Sequence, residues 1–197
     1  MPLQAKPKLY TPEAYLLRED DAAERSEYRN GEIIPMAGGT ANHNRIAGDF
    51  YKQFPTEISG QAYEIFIGDM KLWIPAVELY TYPDVMVIKG EPIYHQDRQS
   101  TVENPYLIVE VLSKSTRQYD QTDKFDAYRT IPSFQEYVLV DQYSFWVKQF
   151  AKTTSEQWIF TELVGKDAIL QLESVQFQIP LAHLYQRVKF EKDENEG

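Results

Sequence analysis

Two acidic residues stand within oily segments whose composition is otherwise typical of buried strands. Glu110 lies in the middle of segment 105–112, and Asp84 lies near the start of segment 83–88. A carboxylate in a buried strand costs several kcal/mol unless it is paired or binds a metal ion. Two such carboxylates, followed by a helix that carries Lys124, indicate a metal-dependent phosphodiesterase site.

The two strands can present their acids on a common face. Side chains alternate along a strand, so Glu110 shares its face with Ile108, and Asp84 shares its face with Met86. If the strands are neighbours in the right register, the carboxylates project together and supply hard oxygen ligands for Mg²⁺. The alternative is that Asp84 caps a strand end and Glu110 pairs with an arginine.

The helix predicted over 116–130 directs Lys124 toward the sheet. At about 100° per residue, Lys124 falls between Tyr128 and Ile131 on the apolar stripe. Asp120, four residues earlier, lies at the edge of that stripe and can form an ion pair with Lys124. Either this pair is only a local helix contact, or the ammonium lies close to the metal site, where it orients a water or stabilises transition-state charge.

The remaining elements indicate an α/β or α+β fold with a mixed sheet flanked by helices. Helices are predicted from Thr11 to about Arg18 and over 40–53, and an Asn30-Gly31 turn precedes a strand. The strand 105–112, the helix and the strand 134–141 form a right-handed crossover. Further predictions are a hairpin of 62–67 with 70–74, a hairpin of 134–141 with 145–150, and weaker strands near 157–163 and 168–178.

The chain is predicted to be one domain over residues 1–197, with a core at about 10–185 and a flexible acidic tail at 188–197. Its 43% hydrophobic and 14% aromatic residues are ordinary for a globular protein. Without cysteine it has neither disulfides nor thiolate metal sites. The N-terminus lacks a signal-peptide core and no apolar run would span a membrane, so we expect a cytoplasmic protein.

The net charge of −10 argues against a broad nucleic-acid-binding surface. It permits a local basic strip, or an acidic site whose metal supplies the positive charge. Lys114, Arg117 and Lys124 form a small basic group after the Glu110 strand, and Arg45 could join it against a phosphate backbone. A solvated helix end is the commoner explanation for Lys114 and Arg117.

Several segments, taken in order, resemble the Uma-type putative restriction endonuclease family, which has the PD-(D/E)XK signature of the restriction-endonuclease-like superfamily. The resemblance covers roughly residues 10 to 185. Its most specific part is the E-V-L-S-x-S-T block followed by D-x-x-x-K and Tyr, whereas Pro-Asp alone is weak. The matching segments are Glu27–Ile33, Met36, His43, Tyr82–Val85, Ile108–Thr116, Asp120–Tyr128 and Glu136–Asp141.

The sequence departs from the general signature at Leu112, where the superfamily lysine would stand two residues after Glu110. The resemblance implies that Lys124 replaces that lysine and serves the nucleophilic water or the transition state. It also implies that Asp84 and Glu110 bind the metal, Mg²⁺ or Mn²⁺, and that Asp120 positions Lys124. The implied activity is DNA endonuclease cleavage.

Three further residues are candidates for the site. The nucleases of this superfamily often carry an additional acid near the N-terminus, which is Glu32 or Glu27 here. We favour Glu32 because it follows a turn and begins a strand. His43, at a helix start after a Gly-rich bend, is either a site residue that contacts a phosphate or a water, or part of an ordinary helix N-terminus.

Two other readings remain beside the nuclease. A catalytically degenerate relative would act as a nucleic-acid or protein interaction module. Paired acids also perform glycoside hydrolysis, although the inward Lys124 disfavours that chemistry. A small acidic nuclease has limited surface for a duplex, so we expect a homodimer with its interface at 134–150 or in the N-terminal region.

Overall fold

The computed structural model describes residues 9–190. The predicted acidic tail lies mostly outside the described residues. The first half of the chain contains α1 (Pro12–Asp20), β1 (Ser26–Arg29), β2 (Glu32–Pro35), α2 (Ala41–Gln53), β3 (Glu57–Ile58), β4 (Gln61–Ile67), β5 (Lys71–Ile74), β6 (Leu79–Thr81) and β7 (Val85–Lys89). The second half contains β8 (Thr101–Val102), β9 (Leu107–Leu112), α3 (Arg117–Gln121), α4 (Asp123–Tyr128), β10 (Glu136–Asp141), β11 (Trp146–Lys152), β12 (Trp158–Val164), β13 (Ile169–Leu172), β14 (Phe177–Pro180) and α5 (Leu181–Leu184).

A seven-stranded sheet in the order β12-β11-β10-β9-β7-β4-β3 forms the centre of the molecule. It is mixed, because β9 and β10 run parallel and the other pairs run antiparallel. The parallel pair is joined through α3 and α4, which confirms the predicted crossover. Residues of β9 and β10 are buried throughout, as expected for strands covered on both faces.

Helices cover the two faces of this sheet differently. On one face, Ile46 and Phe50 of α2 and Leu181 of α5 pack against the valines of the central strands. On the other face, Ala127 and Tyr128 of α4 pack against the alternate side chains of the same strands. The predicted mixed sheet flanked by helices is therefore confirmed, and the acid-bearing face is the one covered by α4.

A second sheet, five-stranded in the order β2-β1-β6-β5-β8, packs beside α4. The Asn30-Gly31 turn joins β1 to β2 as predicted, with φ of 45° and 96° at the two residues. Tyr28 and Tyr80 of this sheet stack with Tyr15 of α1 in a separate aromatic cluster. This sheet brings β1, and with it Glu27, toward the face covered by α4.

The predicted hairpin of 62–67 with 70–74 is wrong. The strand β4 pairs with β3 and β7 in the large sheet, whereas β5 pairs with β6 and β8 in the small one. Gly68 adopts a φ of 69°, and Asp69 forms an ion pair with Arg25, so the chain turns here from one sheet into the other. Alternation in each strand cannot reveal such a corner, because both strands keep their pattern.

The predicted continuous helix over 116–130 is broken at Thr122, which has φ −122° and ψ −83°. Its hydroxyl donates a 2.8 Å hydrogen bond to the carbonyl of Gln118, and such bonds compete with regular helix. The helices at 12 and 40 were predicted correctly: Thr11 and Thr40 cap α1 and α2 through their side-chain oxygens. The hairpin of β10 with β11 is confirmed, and residues 168–178 form most of a β13–β14 hairpin.

Candidate active site

Asp84 and Glu110 meet at the junction of β7 and β9. These strands pair antiparallel with Val85 opposite Val109, and this register places Asp84 opposite Glu110. The backbone N–H of Asp84 donates to Glu110 Oε2 at 3.3 Å, and the N–H of Val111 donates to Asp84 Oδ2 at 2.7 Å. The predicted register is therefore confirmed, and the common face of the two carboxylates stays a prediction.

Glu110 is held by two side chains from α4. Lys124 Nζ lies 3.0 Å from Glu110 Oε1, and the hydroxyl of Tyr128 donates to the same oxygen at 2.7 Å. Glu110 is only 3% exposed. Both partners bind Oε1, so among residues 9–190 Oε2 has only the long contact with the Asp84 N–H.

Lys124 is the cation at the centre of the site. Its Nζ also lies 3.2 Å from Asp120 Oδ1 and 3.7 Å from Glu27 Oε1, and the residue is 7% exposed. Burial opposes the charge, but the three surrounding carboxylates raise the pKa of Lys124 well above its ordinary value. The predicted inward direction of Lys124 is confirmed, and its ammonium is charged at neutral pH.

For the carboxyl of Glu110, the effect of burial prevails. Burial raises the pKa of Glu110 to about 8; Lys124 opposes this rise, and the negative charges of Asp84 and Asp120 add to it. Such a perturbed carboxyl next to a charged lysine is typical of functional sites.

Of the two candidates for the additional acid, Glu27 lies beside Lys124, whereas the favoured Glu32 does not. Glu27 is buried beside Lys124 and accepts a hydrogen bond from the hydroxyl of Thr81. Glu32 is exposed at the start of β2, and no hydrogen bond or ion pair joins its side chain to another residue within the described part of the chain. Glu32 begins a strand, as the turn predicted, but its side chain lies in solvent. The side chain of Glu27 faces α4, against which the second sheet packs.

His43 belongs to the geometry of the site. Its Nε2 lies 3.0 Å from Asp84 Oδ2, where Thr40 caps the helix that carries it. Burial lowers the pKa of His43, but the hydrogen bond and charge of Asp84 outweigh burial and leave this pKa raised. His43 thus orients Asp84 through one carboxylate oxygen and leaves Oδ1 for another ligand.

Four residues of the site were not predicted as members of it: Arg29, Thr81, Tyr119 and Tyr128. Tyr128 carried a signal, because it is four residues after Lys124 on the same stripe. Thr81 and Arg29 reach the site through the second sheet, whose position the sequence pattern does not indicate. The guanidinium of Arg29 stacks on the ring of Tyr119 with its Cζ 3.7 Å from the ring centroid.

The predicted basic strip does not assemble around Lys124. Arg117 forms an ion pair with Asp141, Lys114 lies over the ring of Tyr143 at 5.4 Å, and Arg45 donates to Asn42. These contacts engage each cation with its own local partner. The positive charge closest to the acids comes from Lys124 and Arg29 instead.

The available oxygen atoms fit a hard divalent cation that keeps most of its water ligands. Asp84 Oδ1 accepts no hydrogen bond from a residue in 9–190, and Glu110 Oε2 accepts only one long bond. Over the same residues, no group of three or more His, Asp or Glu side chains is arranged to hold a metal ion. Mg²⁺ is commonly bound by one or two carboxylates together with waters and substrate phosphates, so two carboxylates suffice for it.

Comparisons with known proteins agree with this fold. A crystal structure from Anabaena variabilis, described as "a putative nuclease belonging to DUF820", superposes with a TM-score of 0.67. That likeness covers 90% of this chain and 98% of the other, at 17% identity. In residues 9–190, no helix is long and apolar enough to cross a membrane.

Two sequences of Synechocystis sp. are close relatives. The uncharacterized protein sll1609 is 47% identical over 171 residues, which cover 87% of this chain and 97% of that protein. The uncharacterized protein slr1290 is 35% identical over 186 residues, which cover 93% and 95%. The family model "Uma2: Putative restriction endonuclease" matches residues 12–182, so the chain belongs to the Uma2 family.

Proposed function

We propose that the protein is a metal-dependent endonuclease that hydrolyses phosphodiester bonds of DNA. The observation that carries this proposal is the contact of Lys124 Nζ with Glu110 Oε1 at 3.0 Å, beside Asp84 on the neighbouring strand. Two carboxylates and an ammonium at one junction of a sheet match the needs of phosphoryl chemistry. The family and the fold, both those of restriction-endonuclease-like nucleases, support the same assignment.

In this proposal Asp84 and Glu110 hold Mg²⁺ or Mn²⁺. When bound, the ion lowers the pKa of a water and neutralises charge on the phosphate. His43 and the Val111 N–H orient Asp84, and Tyr128 fixes Glu110 by one oxygen. Glu110 must release its proton to bind the cation, and the fixed charge of Lys124 favours that release.

Lys124 has the second task of stabilising charge that develops on the phosphoryl group or of orienting the attacking water. Asp120 and Glu27 position its ammonium from two other directions. Because the protein supplies one buried cation and four nearby acids, the local field at the site favours binding of a divalent cation.

Plasmid cleavage tests the proposal. The wild-type protein with Mg²⁺ or Mn²⁺ is compared with Asp84→Ala and Lys124→Ala. Asp126→Ala is the matched control, because Asp126 is an exposed acid on α4 that pairs with Arg129. We expect cleavage to fall at least about a hundredfold in the two site variants and to persist in the control. Activity that survives both site substitutions would contradict the assignment.

A catalytically degenerate interaction module is the second candidate. The net charge of −10 favours it, and so does the absence in residues 9–190 of a group of three or more His, Asp or Glu side chains arranged to hold a metal ion. Calorimetry with Mn²⁺ distinguishes the two functions. Heat of binding that disappears in Glu110→Gln, together with multiple turnovers, supports the nuclease, whereas absence of both supports the module.

A further inference from the structure

We propose that Arg29 forms a phosphate-binding subsite at the edge of the acidic cluster, held in place by Tyr119. This inference rests on the proposed function for its substrate, a nucleic-acid backbone. Arg29 lies on β1, in the second sheet, and Glu27 on the same strand separates it from Lys124: Arg29 Nη2 is 3.4 Å from Glu27 Oε2. The subsite is therefore adjacent to the candidate reacting centre and distinct from it.

The Arg29 side chain is fixed by stacking and hardly by hydrogen bonds. Its Cζ lies 3.7 Å above the centroid of Tyr119, and the long contact with Glu27 is its one ion pair in the described region. A guanidinium has five N–H donors, so most of them lack a protein acceptor within residues 9–190. The side chain is 38% exposed, so unpaired donors are available to a ligand from solvent.

The chemical class of the ligand follows from the donor geometry. A planar guanidinium with free donors binds phosphate oxygens in pairs, and stacking on an aromatic ring leaves its edge open. A second cation contacts the same ring: Lys124 Nζ lies 5.7 Å from the centroid of Tyr119. This ammonium is buried and already forms ion pairs with three carboxylates. Arg29 is thus the cation at this site that a phosphate beside the scissile one can reach.

The alternative is that Arg29 serves only the packing of β1 against α3. Such a role predicts a loss of stability without any change in how binding depends on salt. Each phosphate contact contributes about −0.9 to the slope of log K against log salt for duplex DNA. The salt slope therefore separates a ligand contact from a structural contact.

The experiment measures binding of a short fluorescent DNA duplex in EDTA, so that no strand is cut. The variants are Arg29→Gln, Arg29→Lys and the control Arg129→Gln, which removes an exposed charge paired with Asp126. We expect Arg29→Gln to weaken binding about tenfold and to reduce the slope by about 1. Arg29→Lys should be intermediate in affinity and keep the wild-type slope because it keeps the charge, and the control should be unchanged. Thermal melts of each variant establish that it is folded.

An unchanged slope in Arg29→Gln, or a wild-type protein that binds no duplex, would overturn the subsite. The outcome is separable from that of the nuclease. If Asp84→Ala abolishes cleavage but Arg29→Gln keeps the slope, the subsite fails and the nuclease stands. If neither the wild type nor any variant cleaves DNA, but Arg29→Gln reduces the slope of log K against log salt by about 1, the subsite stands and the protein is a binding module.

A separate observation concerns the outer strand β12. We infer that it pairs with β12 of a second copy, which would extend the large sheet across a two-fold axis. The strand lies at the end of the sheet order and pairs only with β11. Ile159, Phe160 and Val164 are 56%, 50% and 70% exposed, and a long apolar edge of this kind is a template for another strand.

The strand is complementary to itself. Antiparallel pairing centred on Thr161 places Ile159 opposite Leu163 of the copy and Phe160 opposite Glu162 of the copy. Lys148 Nζ lies 4.9 Å from the centre of the Phe160 ring. Glu162 of the copy, opposite Phe160, would therefore lie close to this lysine. From the sequence we expect a homodimer interface at 134–150 or in the N-terminal region. Within 134–150, β10 is buried inside the sheet and the outer edge of β11 is covered by β12, so we infer an interface at the neighbouring strand β12 instead.

Light scattering at micromolar concentration tests this dimer. The wild type is expected at twice its 23.0 kDa mass, and Ile159→Lys should raise the dissociation constant at least about a hundredfold, since an edge lysine blocks strand pairing. Ile169→Lys, at an exposed position on β13, is the control and should remain dimeric. A monomeric wild type, or a dimer that tolerates Ile159→Lys, would refute the inference.

Discussion

Glu27 Oε1 lies 3.7 Å from Lys124 Nζ, and this contact joins the small sheet to the helix that covers the large one. Glu27 is also tied to β6 through the hydroxyl of Thr81. The small sheet therefore completes the environment of Lys124, which the large sheet and α4 provide only in part. This relationship makes Glu27 the better candidate for the additional acid.

The pair Glu27 and Glu32 allows a matched test of that assignment. We expect Glu27→Gln to lower the initial rate of plasmid cleavage by about 10- to 100-fold, the usual loss when a residue that positions a site group is changed. Glu32→Gln removes an equal charge from the same hairpin at an exposed position and should cleave at the wild-type rate. Equal cleavage rates in Glu27→Gln and Glu32→Gln would contradict the choice of Glu27 as the additional acid.

Lys124→Ala should destabilise the fold as well as the reaction. The substitution leaves buried carboxylates without their cation, which typically costs about 3–5 kcal/mol. Urea unfolding at pH 7 measures the loss. The control is Lys152→Ala, whose partner Glu156 is 78% exposed and whose pair should contribute less than about 1 kcal/mol. A loss below that of the control would contradict the central role given to Lys124.

The stability of the metal-free protein should fall as pH rises from about 4.5 to about 8. Burial raises the pKa of Glu110 to about 8 from an ordinary value of 4.5, so between these values the folded state binds a proton that the unfolded state has lost. The contribution of this group to the slope is at most about 1.4 kcal/mol per pH unit. It should disappear in Glu110→Gln and persist in Glu32→Gln when urea midpoints are compared across this range.

His43 offers a second pH-dependent measurement. Asp84 raises the pKa of His43 against the effect of burial, so stability from the protonated ring is present below the ordinary pKa of 6.5 and is lost as pH rises through the raised one. An NMR titration of the metal-free protein should report a pKa above 6.5 in the wild type and a lower value in Asp84→Asn. An unchanged titration would show that the 3.0 Å contact has no electrostatic effect.

The sequence predicts those parts of the site that follow from the period at which side chains repeat along a strand or a helix. Alternation put Asp84 and Glu110 on one face, and the helical wheel turned Lys124 toward them; both features depend only on local geometry. Among the partners from the small sheet, Glu27 was named only as the second choice, and Thr81 and Arg29 were missed. No local pattern indicates which sheet a strand joins. The turn at Gly68-Asp69 is an example: two strands with good alternation were predicted to pair, but they belong to different sheets.

Glu32 illustrates the same limit at the level of one side chain. A turn followed by an acid is a legitimate signal for a strand start, and β2 does begin at Glu32. Whether that acid faces a neighbouring helix or solvent depends on the docking of β1 against α4, which is a long-range contact. The break at Thr122 was missed for a different reason, since a threonine within a helical pattern costs little by propensity alone.

The break at Thr122 has a consequence for how the molecule responds to heat. The helices on either side have five and six residues, lengths that are marginal without tertiary support, and Asp120 and Lys124 lie on opposite sides of the break. Local unfolding of this segment would separate the ammonium from its carboxylates while the strands remain paired. We therefore expect amide hydrogens of 117–128 to exchange before those of β9 and β10, and inactivation to precede melting of the sheet.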